Sequence, residues 1–385
     1  MQNRHAIDQP MTDYKIDPMD VTFEPLAGST FTNLLHLLAQ NKFRVGMIGV
    51  PRTFYSAAMS FALSPLNVYE RLRYNKAIHQ TSIDKEPVFI IGHWRSGTTY
   101  LHNLISKNSS FAYPTTFQTV TPGLFLCFEN LVKPIVASSL PPKRPEDDIV
   151  IGADLPQEDE YGIGNLSPYS FYNGWCFPRN FQRYYNFVSM DNVSAHAIEQ
   201  WKSIYLYYLK KLTLAHKGKQ LVLKNPANTG RVKLLLELFP DAKFIHIYRN
   251  PFHTFLSMMR DIEAEMTLYC VQPPADVETF EAAMVLLYNR MFEKFYQDQR
   301  HIPNGNLIEL RYEDLIADPY EEVKKIHQSL DLPGFSKSQN KLAKYIRSQK
   351  NVKTHTYDLD SELKEKIYRY FKTTIDLWGY TPVTT

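Results

Sequence analysis

The run Gly92-His93-Trp94-Arg95-Ser96-Gly97-Thr98-Thr99 packs two glycines, a guanidinium and several hydroxyls into one short segment. Glycines let the backbone bend until successive N–H groups point at one place, and a helix opening at Thr98 adds partial positive charge there. Such a loop grips an anion, with Arg95, Ser96, Gly97, Thr98 and Thr99 as its binding residues. The Gly-x4-Gly spacing is that of a P-loop, but a nucleoside-triphosphate loop carries Lys directly after the second Gly to reach the outer phosphates. Here Thr98 holds that position, and the cation sits inside the loop as Arg95. The later strand KFIHIYRN ends in Arg249, and no acidic strand end offers a magnesium ligand. The pattern favours one phosphate or a mixed anhydride over a triphosphate with its metal.

Two further cations stand at predicted strand ends. Lys224 closes LVLK, and Arg249 closes KFIHIY, with Ser257 on the helix that follows. Ligands of open α/β sheets bind at such ends, and a guanidinium fork matches phosphate oxygens. Acidic groups cluster at Pro156-Gln157-Glu158-Asp159-Glu160, where a carboxylate can serve as a general base or simply open a helix. His93 inside the loop and His102 just after it are further proton acceptors.

These segments, in this order, resemble the sulfotransferases that use 3′-phosphoadenosine 5′-phosphosulfate (PAPS). GHWRSGTT is similar to the family's 5′-phosphosulfate loop, and LKNPANTGRVKLLLELFPDAKFIHIYRNP to its Lys-x-Pro strand, helix and arginine-ended strand. LRYEDLIADP looks like its Tyr-Glu-Asp-Leu motif. The likeness is to a bacterial branch that also resembles the protein-tyrosine and small-molecule sulfotransferases. It covers about 87–128 and 220–332, and more weakly 141–180 and 350–380. It implies that Lys224 contacts the bridging and sulfuryl oxygens, that Arg249 and Ser257 bind the 3′-phosphate, and that Tyr312 walls the nucleotide. By the same likeness, Lys353 belongs to a basic loop closing that site. PAPS is the implied donor, 3′-phosphoadenosine 5′-phosphate (PAP) the product, and the scheme needs no metal.

In this scheme Arg95 and Lys224 converge on the leaving-group oxygen, where charge builds as the S–O bond breaks. The general base departs from the family pattern. Asn225 and Pro226 follow Lys224 where small-molecule sulfotransferases carry a histidine, and Thr115–Gln118 lacks the carboxylate of the tyrosine sulfotransferases. The expected base is Glu158, then Glu160, then Asp159, with His93 as the alternative. Two other readings stay open: a nucleotide kinase with an altered P-loop, which would need ATP and magnesium, and a non-catalytic nucleotide-binding protein of the same fold.

The elements that must position these groups alternate. Short apolar runs at 87–92, 221–224, 243–248 and 307–311 read as buried parallel strands. Helical patterns separate them at 98–107, 231–239, 252–265 and 275–296, and others follow at about 319–330, 337–348 and 360–377. The expected fold is α/β: a P-loop-type, mostly parallel sheet flanked by helices, with N-terminal helices and an inserted cap rich in aromatic residues. Residues 1–28 read as an arm, and 29–385 as a single domain with the cap at about 111–215. Gly123–Leu140 and the cap aromatics suit a hydrophobic hydroxylated acceptor, such as a sterol, a bile-acid-like molecule or a lipid alcohol.

The 385 residues suffice for a large core, and a net charge of +3 argues against a nucleic-acid-binding face. Cys127, Cys176 and Cys270 are far apart and form no CxxC pair, which fits a reducing, cytoplasmic compartment and offers no metal cluster. Met1–Asp20 has no apolar signal region. The most apolar stretch, Phe43–Leu66, is broken by Arg44, Pro51 and Arg52, so it reads as buried or interfacial helix with no membrane span.

Overall fold

The computed structural model describes Val21 and residues 24–143, 149–272, 277–349 and 359–381. The chain divides into two compact units. One comprises Met1–Lys85, Tyr113–Lys219 and Ile262–Phe280; the other comprises Glu86–Ala112, Gln220–Asp261 and Glu281–Thr385.

The second unit holds a five-stranded sheet: β1 (Val88–Ile91), β2 (Phe111–Ala112), β3 (Gln220–Lys224), β4 (Lys243–Tyr248) and β5 (Leu307–Arg311). The spatial order is β2-β3-β1-β4-β5, and every pairing is parallel. All four residues of β1 are buried, as expected of a central strand covered on both faces. Val88, Ile90, Val222, Ile245, Ile247 and Leu310 pack into one core. The chain leaves β1 to build β3 on one side and β4 on the other, so the strand order switches at β1. A crevice for ligands forms at the carboxyl ends of strands around such a point. Parallel register brings the ends of β1, β3, β4 and β5 to one edge: Ile90 is level with Lys224, and Tyr248 with Arg311.

The first unit is helical. Thr30 caps α1 (Phe31–Gln40), and α2 (Val50–Gln80) follows with Pro51 in its first turn. Proline is tolerated there because that N–H has no partner within the helix. Pro51 therefore opens a 31-residue helix instead of interrupting an apolar one. The aromatic segment joins the same unit. Phe171, Trp175, Phe181 and Phe280 form mutual ring contacts, and Trp201 stacks on Tyr205 at 4.7 Å. Most of these rings are core. Among the described residues no helix is long and apolar enough to cross a membrane.

Candidate functional site

The loop after β1 owes its path to two glycines in left-handed backbone. Gly92 has φ +139° and lies against the Ile247 carbonyl, which a Cβ would meet at 2.1 Å. Gly97 has φ +93° and lies against the Tyr312 ring, which a Cβ would meet at 2.3 Å. Arg95 also adopts positive φ, +68°, an uncommon conformation for a residue with a side chain. The loop is tied internally by Ser96 Oγ, which donates to the His93 carbonyl at 2.6 Å. Across the sheet, Gly92 N–H donates to Thr229 Oγ1 at 2.8 Å, and that hydroxyl lies 3.2 Å from the Gly92 carbonyl. From Thr98 the chain enters α3 (Thr98–Ile105), whose N-terminus has no side-chain cap. Its first N–H groups thus face the loop without an internal acceptor, the arrangement that binds anions.

Lys224, at the end of β3, is 1% exposed, and its Nζ donates to Thr99 Oγ1 at 3.2 Å. The strand-tip cation thereby meets the first turn of the loop's helix. Asn225 then turns the chain: its side chain accepts from Ala227 N–H and caps the 3-10 helix Pro226–Arg231. The position that carries a histidine in small-molecule sulfotransferases is thus taken here by a capping side chain.

A second cationic group lies at the end of β4. Arg95 Nε donates to Ser257 Oγ at 2.9 Å, and Arg249 Nη1 donates to the Arg95 carbonyl at 3.0 Å. The Arg249 guanidinium lies over the Tyr312 ring, 4.4 Å from its centroid. Its buried Nε has no hydrogen-bond partner among the described residues. Hydrogen bonds thus join Arg95 to Ser257 and Arg249. Glu313 braces this corner by accepting from Asn250 N–H and the Tyr380 hydroxyl.

Nearby histidines register the positive field. His102 is held well below its ordinary pKa by burial first and by Lys224 next, and His253 is lowered by burial and then by Arg249. His93 is almost fully buried. Its Nδ1 lies 2.7 Å from the Trp94 carbonyl, its ring is 4.8 Å from Tyr288, and burial lowers its pKa to about 4.

A profile described as the sulfotransferase family matches residues 87–337. The chain belongs to the sulfotransferase family. It is 29% identical over 353 residues to the omega-hydroxy-beta-dihydromenaquinone-9 sulfotransferases of Mycobacterium tuberculosis and Mycobacterium bovis, covering 92% of this chain and 90% of theirs. Among solved structures it is similar to a sulfotransferase from Mycobacterium avium, with a TM-score of 0.66 and 14% identity over 92% of this chain and 97% of that one. A sulfotransferase from Mycobacterium tuberculosis gives a TM-score of 0.56 and 16% identity over 89% and 91%. The fold is that of these P-loop-like sulfotransferases, and the protein is a transferase.

The expected acidic residues of this sulfotransferase lie in the helical unit. Glu158 precedes the helix Asp159–Leu166, and its Oε2 accepts a short hydrogen bond from the Tyr172 hydroxyl. Tyr172 and Tyr161, with ring centroids 4.4 Å apart, line an apolar pocket with Leu26, Trp175 and Tyr269. Asp159 accepts from the Tyr205 hydroxyl at 2.8 Å. Glu160 is fully buried and accepts from Ser170 Oγ at 2.9 Å and from Phe171 N–H at 3.0 Å. Lys353 lies outside the described residues. Thr229 was not anticipated, and its only signal was its place in the NPANTGR turn after Lys224. No group of His, Cys, Asp and Glu that would hold a metal occurs among the described residues.

Proposed function

We propose that this sulfotransferase moves a sulfuryl group from PAPS to the hydroxyl of an apolar, lipid-like acceptor. The observation carrying this reading is the Lys224 ammonium at the tip of β3, 3.2 Å from the Thr99 hydroxyl of the phosphate loop. In this scheme the loop N–H groups and the Thr98 and Thr99 hydroxyls hold the 5′-phosphosulfate. Arg249, Ser257 and Arg95 hold the 3′-phosphate, and the Tyr312 ring lies on the nucleotide side. The acceptor oxygen attacks sulfur as the S–O bond to the 5′-phosphate breaks. Lys224 stabilises the charge growing on the oxygen that leaves with PAP.

Glu158 takes the acceptor's proton. Its carboxylate accepts from the hydroxyl of Tyr172, which lines an apolar pocket, whereas Glu160 accepts from Ser170 Oγ and Phe171 N–H and braces the turn at 170–171. His93 is a poor base because burial already keeps it from binding a proton. The mycobacterial relatives, by name, act on a hydroxylated dihydromenaquinone, which agrees with an apolar alcohol as acceptor.

Thermal unfolding with added nucleotide tests the donor. PAP raises Tm and ATP with magnesium does not, because a ligand stabilises the state that binds it. Selective stabilisation by ATP with magnesium overturns the reading in favour of a kinase. A panel of isoprenoid, sterol and long-chain alcohols against sugars and peptides tests the acceptor class, and transfer confined to sugars or peptides overturns that part.

A further inference from the structure

The helix α2 is turned inside out. Its buried residues include Arg52, Ser56, Ser60 and Glu70. Arg52 pairs with Glu24, Ser60 donates to the Leu26 carbonyl, and Glu70 pairs with Lys211 while accepting from the N–H groups of Leu126 and Cys127. The exposed side is apolar: Phe54 is 75% exposed, Phe61 65% and Leu72 76%. At 100° per residue, Val50, Phe54, Phe61, Val68 and Leu72 fall on one stripe, and no exposed residue from Val50 to Tyr69 is charged. The stripe continues backwards through Met47, which is 93% exposed, and Phe43. Phe43 and Lys42 both have left-handed backbone, φ +51° and +56°, so a large apolar ring is held out toward solvent at a conformational cost. A helix stabilised only by its own core shows the opposite pattern.

Charge brackets the stripe. Exposed Lys42 and Arg44 lie at one end, and exposed Arg71, Arg73 and Lys76 at the other. The sole acid from 42 to 76 is Glu70, buried against Lys211. On the neighbouring helix Glu129–Ser139, Leu131 and Ile135 add exposed apolar surface, and the exposed Glu129 is paired with Lys133 at 2.9 Å.

We propose that this face lies on an anionic lipid bilayer, with the apolar stripe among the acyl chains and the basic ends among the headgroups. A second copy of the chain fits poorly. Both ends are basic, so pairing two stripes brings like charges together whichever way the helices run. The apolar acceptor of the reading above supplies a use for such a surface, but lipid binding is measurable without donor or acceptor.

The test is flotation of the full-length protein with vesicles of phosphatidylcholine, alone or mixed with phosphatidylglycerol. Binding is expected to the mixed vesicles and to weaken with salt. Arg71→Gln with Arg73→Gln lowers affinity on the order of twentyfold at low salt, from about fivefold for each charge removed. Phe54→Ser with Phe61→Ser lowers it more than about tenfold. Both pairs keep the Tm shift with PAP, which shows that they remain folded. Wild-type protein that ignores phosphatidylglycerol vesicles overturns the proposal. So does a solution dimer that Phe54→Ser with Phe61→Ser turns into a monomer.

Discussion

At the scale of single residues, the proposed chemistry rests on one ammonium and one carboxylate. A preorganised positive charge at the leaving oxygen is worth a few kcal/mol, so Lys224→Ala is expected to cut kcat about 100-fold. The Tm shift with PAP should stay largely in place, because Arg249 and Ser257 are untouched. An unchanged kcat removes Lys224 from the mechanism. The two glutamates separate by what each loses. Glu158→Gln leaves Tm nearly unchanged and lowers turnover by about 100-fold or more. Glu160→Ala instead lowers Tm, since its Oε1 accepts from both a buried hydroxyl and a buried N–H. Full activity in Glu158→Gln rejects it as the base. Cation and hydroxyl types were legible here because each stood at a predicted strand end or in a glycine turn. The pairing of Arg95 with Ser257 was not, since a side chain's direction out of a loop depends on backbone angles that composition does not specify.

At the scale of elements, the loop–helix junction is the sensitive part. Gly97 combines left-handed backbone with close contact to the Tyr312 ring, so any Cβ there must move that ring or the loop. Gly97→Ala is expected to lower stability by about 1–3 kcal/mol and to weaken PAP binding, both read in a single thermal titration; a variant matching wild type in each measurement rejects the role of that contact. Parallel strands announce themselves as short apolar runs, and β4 and β5 begin and end where the sequence pattern puts them. The two-residue β2 is too short to leave a pattern. α2 shows another limit: periodicity tells which side chains share a face, not which face turns inward. Arg52, Ser60 and Glu70 face inward because Glu24, Leu26 and Lys211 offer them partners, and that depends on tertiary placement.

At the scale of the whole molecule, buried neutral histidines tie stability to pH. His93 has a pKa of about 4 in the folded protein against 6.5 ordinarily, with burial as the main cause. Between these values the unfolded chain binds the proton and the folded one does not. Stability is therefore full above pH 6.5, falls as pH drops through that window, and levels off below about pH 4. The His93 share of the loss reaches about 3 kcal/mol. His102, His253 and His327 are shifted in the same direction, each with burial as the largest cause. Tm should decline from neutral pH to about pH 5, and His93→Asn should make that decline shallower. A slope identical to wild type's excludes His93 as a contributor. The division into two units cuts across the sequence, because residues 262–280 join a helical body whose other parts come much earlier in the chain. Contacts that distant in sequence have no local signature.

The Thr229 hydroxyl, pinned to both the N–H and the carbonyl of Gly92, yokes the glycine turn to the segment just beyond Lys224. A cradle latched in this way has little disorder left to lose when a nucleotide arrives. On the proposed reading the spent nucleotide still offers this cradle a 5′-phosphate, and the Arg249 corner the same 3′-phosphate, lacking only the sulfuryl group. With PAPS as the proposed donor, accumulated PAP should compete with it, and sustained turnover should depend on how quickly the spent nucleotide is cleared.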